Sequence, residues 1–321
     1  MIDSSNNLLD LVRSRDLLKR SLFEYLHTNG FLEVTSSTIT SLTGACETIE
    51  TVFALPFFES RAHLAQTAQL QLERMVKLLQ RKVWAWDRSF REEPRVTTRH
   101  LVEFCLLEVE SPGYKLADIM ATKEALLKHC ISNIANGTDV PDLLARRLPY
   151  LTSVQFPLHV CEYTEAVRIL SARGVSPDAG GLGMREEVEL LAHFGNQPFF
   201  IVHYPAAIKY FNMRRMPDPD WVYSVDLIAP PFGEISGGAE REDEYDKVVR
   251  NLKSSKMWSD LQRLWPDEDH FEWYLSLWED GSPGPRGGFG MGFERLVGFF
   301  TGIDDIRRCT EFPRNKETIF P

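Results

Sequence analysis

The chain has 321 residues, 43% of them hydrophobic, and carries 46 acidic against 36 basic side chains for a formal net charge of −10. That much apolar material supplies one large core or two modest ones and excludes an intrinsically disordered chain, while the negative balance excludes non-specific nucleic-acid binding as the main activity. There is no basic segment leading into an apolar run and no stretch of 18 apolar residues, and the five cysteines (Cys46, Cys105, Cys130, Cys161 and Cys309) lack ligand spacing, so a soluble cytoplasmic protein with neither a disulfide framework nor structural zinc is expected.

Leu8, Leu9, Leu11, Val12, Leu17, Leu18, Leu22, Phe23 and Leu26 recur at helical spacing and predict an opening helix that Asn29-Gly30 stops. A strand in GFLEV follows, then short strands around Phe53 to Phe58. The segment ATAQLQLERMVKLLQRK places Leu70, Leu72, Met75, Leu78 and Leu79 on one helical stripe, read as core. VWAWDRSF, the polar loop EEPRVTTRH and the alternating LVEFCLLEVE predict a strand, a charged loop and a second strand, a hairpin over 81–110. Helices are expected over 115–135 and, after the turn NGTDVP, around Leu143 to Arg147. The stretch 136–195, with short helices in EYTEAVRILSARG and AGGLGMREEVELLAHFG, reads as an insertion within a single domain spanning 1–321. Strand-like segments then arrive in series, PFFIVHY, WVYSVDLIAP, GEISGGAERE and RGGFGMGF, with few helices able to cross between them. The fold class expected is therefore α+β, an antiparallel sheet flanked by helices.

Three groups of residues suggest chemistry. The 81–110 hairpin gathers Arg88, Arg91, Arg95, Arg99 and His100 among Asp87, Glu92, Glu93, Glu103, Glu108 and Glu110. A solvated face of weak ion pairs accounts for this pattern equally well. However, Phe104, Leu106 and Glu108 share one strand parity, so an aromatic and a carboxylate lie on one face beside arginines, a seat for a purine nucleotide. Next, Asp226 and Glu234 flank a bend made by Pro230, Pro231 and Gly233; two carboxylates meeting there hold Mg²⁺ on a polyphosphate, or are an ordinary strand end. Gly237 and Gly238 permit close approach of a ligand to backbone or simply form a turn. Finally, the glycines of RGGFGMGFERL fit neither the dinucleotide fingerprint nor the P-loop, but alternate along a strand before Arg295, leaving a flat surface for a base or ribose with the arginine at its phosphates.

Taken together, FREEPRVTTRHLVEF, GFGMGFERL, YPAAIKYFNM, DLIAPPFGEISGGAERE and the terminal EFPR resemble class II aminoacyl-tRNA synthetases, and among them the aspartyl and asparaginyl group, over residues 12 to 314. In GFLEVTSSTIT, Ser37 stands where the family places its dimer-interface proline, which implies the usual homodimer with an altered edge. The resemblance implies that Arg91 clamps the α-phosphate and the amino-acid carboxylate, Glu93 reads the adenine amino group and Phe104 stacks on the base. His100 and Arg295 then face the outer phosphates, Asp226 and Glu234 handle Mg²⁺, and ATP is the cosubstrate. Gln69, Lys209 and Arg241 belong to the amino-acid pocket, Arg241 at the side-chain carbonyl or carboxylate. Leu72, where the aspartyl branch has lysine, Glu108, where it has aspartate, and Gly237, where it commonly has serine, resemble the asparaginyl branch. Losing a lysine favours a neutral amide over a second carboxylate. Glu240 departs from both branches, which usually have glutamine, and resembles the archaeal asparagine synthetase of this group.

The expected activity is thus formation of an aminoacyl-adenylate from asparagine or a close analogue. The catalytic pattern begins almost at Met1, so no N-terminal anticodon-binding domain is expected. On that basis the expected acceptor is non-canonical: ammonia, a small amine, a protein side chain or a tRNA acceptor stem. Alternatives are an ammonia-dependent asparagine synthetase working through aspartyl-adenylate, a truncated asparaginyl-tRNA synthetase, and a non-catalytic regulatory module. No membrane partner is expected.

Overall fold

Residues 5–41, 49–177, 181–266 and 271–319 are described by the structure, a computed structural model; Cys46 lies outside them. The first helix, α1 (Ser5–Thr28), buries Leu11, Leu18, Leu22 and Leu26 and ends where Gly30 takes a left-handed φ of 77°. Short strands β1 (Leu32–Glu33), β2 (Ile39–Thr40), β3 (Ala54–Phe57) and β4 (Ser60–Leu64) follow. In α2 (Gln69–Leu79), the buried side chains are Gln69, Leu70, Leu72, Glu73 and Val76. The expected core stripe fails at its end, because Leu78 is rotated away from the face that Leu72 and Val76 define, and Leu79 sits in the last turn; both are exposed.

The hairpin is formed by β5 (Val83–Phe90) and β6 (Glu103–Pro112), paired antiparallel from Val83 opposite Glu110 to Phe90 opposite Glu103. Beyond it come α3 (Leu116–Asn136) and α4 (Asp142–Ser153), the latter longer than the short helix expected around Leu143 to Arg147. The stretch read as an insertion contains β7 (His159–Glu162), α5 (Tyr163–Ala172) and α6 (Met184–His193), and β7 joins the main sheet as an edge strand. The remaining elements are β8 (Phe199–Val202), β9 (Ser224–Ala229), β10 (Gly233–Glu240), α7 (Tyr245–Lys253), α8 (Lys256–Leu264), α9 (Glu272–Leu275), β11 (Arg286–Gly292) and α10 (Phe293–Thr301).

Eight strands form one sheet in the order β1-β5-β6-β11-β10-β9-β8-β7, and β2, β4 and β3 form a smaller one. The inner pairs are antiparallel as expected, whereas β1–β5 and β7–β8 at the two edges are parallel, so the sheet is mixed. Strand parity divides the molecule. Cys105, Leu107 and Val109 of β6, Phe289 and Met291 of β11, and Val225, Leu227 and Ala229 of β9 point to one face, where they join α1, α3, α4 and α10 in the main core. The alternate residues of the same strands point to the other face, which α2 covers at one end and α5 and α6 at the other. The functional side chains emerge in the gap between those covers. Among the described residues no helix is long and apolar enough to cross a membrane.

Candidate active site

On that open face lies a cleft of about 470 Å³, and its walls carry Gln69, Arg91, Glu93, His100, Phe104, Glu108, Lys209, Asp226, Glu234, Gly237, Arg241 and Arg295. Of the expected site residues, Leu72 alone does not line it. Leu72 is fully buried among Ala68, Val76, Val83 and Ala85, between α2 and β5.

At one end, β6 presents Phe104, Leu106 and Glu108 in the alternation its sequence shows, and the Arg91 guanidinium lies 4.8 Å from the centre of the Phe104 ring. An aromatic plane with a guanidinium beside it suits a purine and its first phosphate. Burial raises the pKa of Glu93, opposed by Arg91 and Arg295. His100 contacts Thr97 Oγ1 at 2.9 Å, and burial together with Arg295, Arg99 and Arg91 pulls its pKa down to about 4. It is neutral near pH 7, so the positive charge here comes from the arginines and His100 offers hydrogen bonds only. Arg295 donates to the Glu234 carbonyl at 2.6 Å, which aims its side chain back over β10. Burial and the nearby Arg99 lower its pKa to about 10, leaving it charged. The glycines of β11 serve two ends. A Cβ on Gly288 would lie 2.0 Å from Glu110 Oε2, whereas one on Gly290 would meet nothing closer than Glu108 at 3.7 Å, so Gly290 leaves the floor flat for a ligand rather than for packing.

Asp226 of β9 and Glu234 of β10 do converge. A point where a Cβ on Gly237 would sit is 3.0 Å from Glu234 Oε1 and 3.2 Å from Asp226 Oδ1. Lys209 binds the other Asp226 oxygen at 2.6 Å, and Asp226 Oδ1 is buried without a protein hydrogen-bond partner. Burial opposes ionisation of Glu234, yet Arg295, Lys209, Arg99 and Arg91 outweigh it and lower its pKa. Two converging carboxylate oxygens, one without a partner, suit a hard divalent cation whose remaining ligands are phosphate oxygens and water.

At the other end, Arg241 lies against Glu110, with Nη2 3.1 Å from Oε2, and Gln69 donates to the same carboxylate. Behind them Glu73 accepts from Arg286, Tyr274 (2.8 Å) and Asn212 (2.8 Å), all buried. Glu108 accepts from Ala68 N at 2.7 Å and from the Thr67 hydroxyl, and burial raises its pKa to about 7. Glu240 turns to the opposite side of β10 from its neighbour Arg241. There it accepts from Leu116 N at 3.1 Å and pairs with Lys115 at 3.2 Å, so it does not reach the substrate cleft.

Arg99 and Glu187 line the cleft as well. They pair with each other, and Glu187 Oε2 also accepts from Glu234 N at 3.1 Å. Arg99 sits in the charged loop beside His100 and was within reach of sequence reasoning; nothing in REEVELL distinguishes Glu187 from a solvated helix face.

The family model for class II tRNA synthetases (D, K and N) matches residues 2–316. This chain belongs to that family. It is an ATP-dependent ligase of the class II synthetase type. An asparagine–tRNA ligase of Pyrococcus abyssi is 38% identical over 315 residues, covering 97% of this chain and 69% of that protein. One from Thermococcus gammatolerans is 36% identical, covering 99% of this chain and 71% of its own length. The asparaginyl-tRNA synthetase of Pyrococcus horikoshii, solved in complex with asparaginyl-adenylate, superposes with a TM-score of 0.87 at 35% identity, covering 98% of this chain and 70% of that one. The class II synthetase fold expected from the motifs is thus present, with its sheet parallel at both edges.

Proposed function

We propose that this class II synthetase activates asparagine as asparaginyl-adenylate and transfers the asparaginyl group to tRNA. The observation that carries the reading is the likeness, over 98% of the chain, to a synthetase solved with asparaginyl-adenylate. The amino-acid end of the cleft supports the choice of amide. Arg241 is already balanced by Glu110, and Leu72 contributes no charge, so a second substrate carboxylate would find no surplus cation to pair with. The expected preference for asparagine is retained, but on the Arg241–Glu110 balance rather than on Leu72 as a pocket residue. The expected non-canonical acceptor gives way to tRNA, because the relatives that match across the chain are asparagine–tRNA ligases.

In the reaction the asparagine carboxylate attacks the α-phosphorus of ATP and pyrophosphate leaves. Phe104 and Glu93 seat the adenine, Arg91 draws carboxylate and α-phosphate together, and Arg91 and Arg295 stabilise the charge that develops in the transition state. Asp226 and Glu234 would hold Mg²⁺, which supplies further neutralisation of the phosphates. A ribose hydroxyl of the tRNA then attacks the adenylate carbonyl and AMP leaves, so ester formation needs no protein nucleophile. We further propose a homodimer, for which the exposed apolar Leu32 and Ile39 of the GFLEVTSSTIT segment offer surface; sedimentation of a monomer would contradict it.

The test is amino-acid-dependent exchange of pyrophosphate into ATP, followed by charging of tRNA with labelled asparagine. Exchange with asparagine above aspartate and acid-precipitable asparaginyl-tRNA are expected. Exchange with aspartate and formation of free asparagine from ammonia would instead establish the synthetase alternative, and no exchange with any amino acid would defeat both.

A further inference from the structure

Lys123 of α3 is fully buried on the core side of the sheet, opposite the cleft. Its Nζ donates to the carbonyls of Val225 on β9, at 3.1 Å, and Ser236 on β10, at 3.2 Å, and lies 5.5 Å from the centre of the Phe289 ring. Nothing in the proposed reaction uses it. A buried amine costs stability unless its hydrogens are taken, so its retention beneath two particular strands calls for a reason.

The local strand register supplies one. Glu234 and Gly237 are three residues apart, and in a regular strand they would face opposite sides. The β9–β10 ladder is irregular between Glu234, opposite Ile228, and Ser236, opposite Leu227, and it recovers with Gly237 opposite Asp226. The irregularity is a β-bulge, and it turns Glu234 to the same face as Asp226 and Gly237. Lys123 bonds the carbonyl of Ser236, where the bulge ends, and that of Val225, which lies opposite Gly238 two positions further along β10. We propose that Lys123 is a positioning residue that pins the β10 bulge to β9 from behind the sheet and so keeps Asp226 and Glu234 converging on the cleft.

This rests on the reading of Asp226 and Glu234 as the cation-binding pair. It does not depend on the charge of Lys123. Asp226, Glu234, Lys209 and Arg241 are the charged groups around it, and burial brings its pKa to about 7, but the neutral amine still carries two hydrogens for two carbonyls.

Two variants test the pin. Lys123→Met keeps the length and removes both donors, and, being apolar in a dry site, it is expected to fold. Lys123→Gln keeps an amide donor. With Mn²⁺ and ATP as the probe, Lys123→Met should weaken binding by about ten- to a hundredfold, the range for loss of a group that supports a metal ligand, and Lys123→Gln should recover most of it. Amide exchange at Ser236 to Gly238 should accelerate in Lys123→Met while the amides of α10 keep wild-type rates. Wild-type affinity in Lys123→Met where Asp226→Asn weakens binding, or faster exchange spread evenly over the core, would overturn the proposal. Asp226→Asn serves as the control: if it leaves Mn²⁺–ATP affinity unchanged while Lys123→Met still loosens β10 selectively, the pin stands and the cation reading falls.

Discussion

Arg91 and Phe104 are brought together by a hairpin whose two strands are adjacent in sequence, and the contact of guanidinium and ring is the feature on which the proposed nucleotide seat most directly rests. Arg91→Ala should lower pyrophosphate exchange by about 10²- to 10³-fold, the loss typical of removing one group that stabilises transition-state charge, without altering circular dichroism. Arg91→Lys should recover little, because an ammonium lacks the planar face and paired donors. Glu108 makes a separate prediction about pH. Its pKa rises to about 7 in the folded protein, above the 4.5 of an ordinary glutamate, so the folded state holds the proton more tightly than the unfolded chain. Its stabilising contribution is full below the unfolded value and falls as pH rises towards 7; equilibrium unfolding should show that slope, and Glu108→Gln should flatten it. Phe104, Leu106 and Glu108 were legible as one face because parity within a strand is a local property. Leu72 was not placed correctly, because helical spacing tells which residues share a face and not which neighbour that face meets.

At the scale of elements, β11 and α2 show how the Arg241–Glu110 end of the cleft is built. Gly288 admits no side chain because Glu110 Oε2 would lie 2.0 Å and Val109 O 2.2 Å from its Cβ. Gly288→Ala should therefore displace Glu110 from Arg241, raising the KM for asparagine more than that for ATP in the exchange assay. On α2, Glu73 and Arg286 form a fully buried ion pair that also takes Tyr274 of α9, joining the helical segment after β10 to the sheet. Removing one partner strands the other charge, and Glu73→Gln should cost about 3–5 kcal/mol in denaturant unfolding. These pairings escape sequence reading for a physical reason: Glu73 and Arg286 are far apart in the chain, and each looks like a residue of a solvated face until both are buried. Glu240 is the opposite case. Its neighbour Arg241 faces the cleft, so alternation alone places Glu240 on the other side, where it caps the start of α3.

For the whole molecule, the formal charge of −10 coexists with a cleft held by Arg91, Arg99 and Arg295. Small anionic substrates meet local positive charge, whereas a long polyanion meets a surface that repels it on average. Raising salt should accordingly weaken transfer to tRNA less steeply than for a basic synthetase, the slope of log affinity against log salt counting the phosphate contacts. The chain aligns with about 70% of the length of its asparagine–tRNA ligase relatives, and the exchange reaction tests the adenylate half of the proposed activity separately from transfer to tRNA. Alternation, helical spacing and the motifs were enough to specify the mostly antiparallel α+β sheet, the shared face of Phe104, Leu106 and Glu108, and the nearness of Asp226 and Glu234 across one bend, because each depends on residues close in the chain or on a strand and its immediate partner. The parallel edge strands, the bulge that lets Glu234 face Asp226, the reach of Glu187 to Arg99 and the burial of Lys123 were decided only by the tertiary structure. Apart from the bulge, which lies within one hairpin, each is a contact between segments distant in sequence, and burial makes these pairings decisive because a desolvated polar group costs stability unless it is paired.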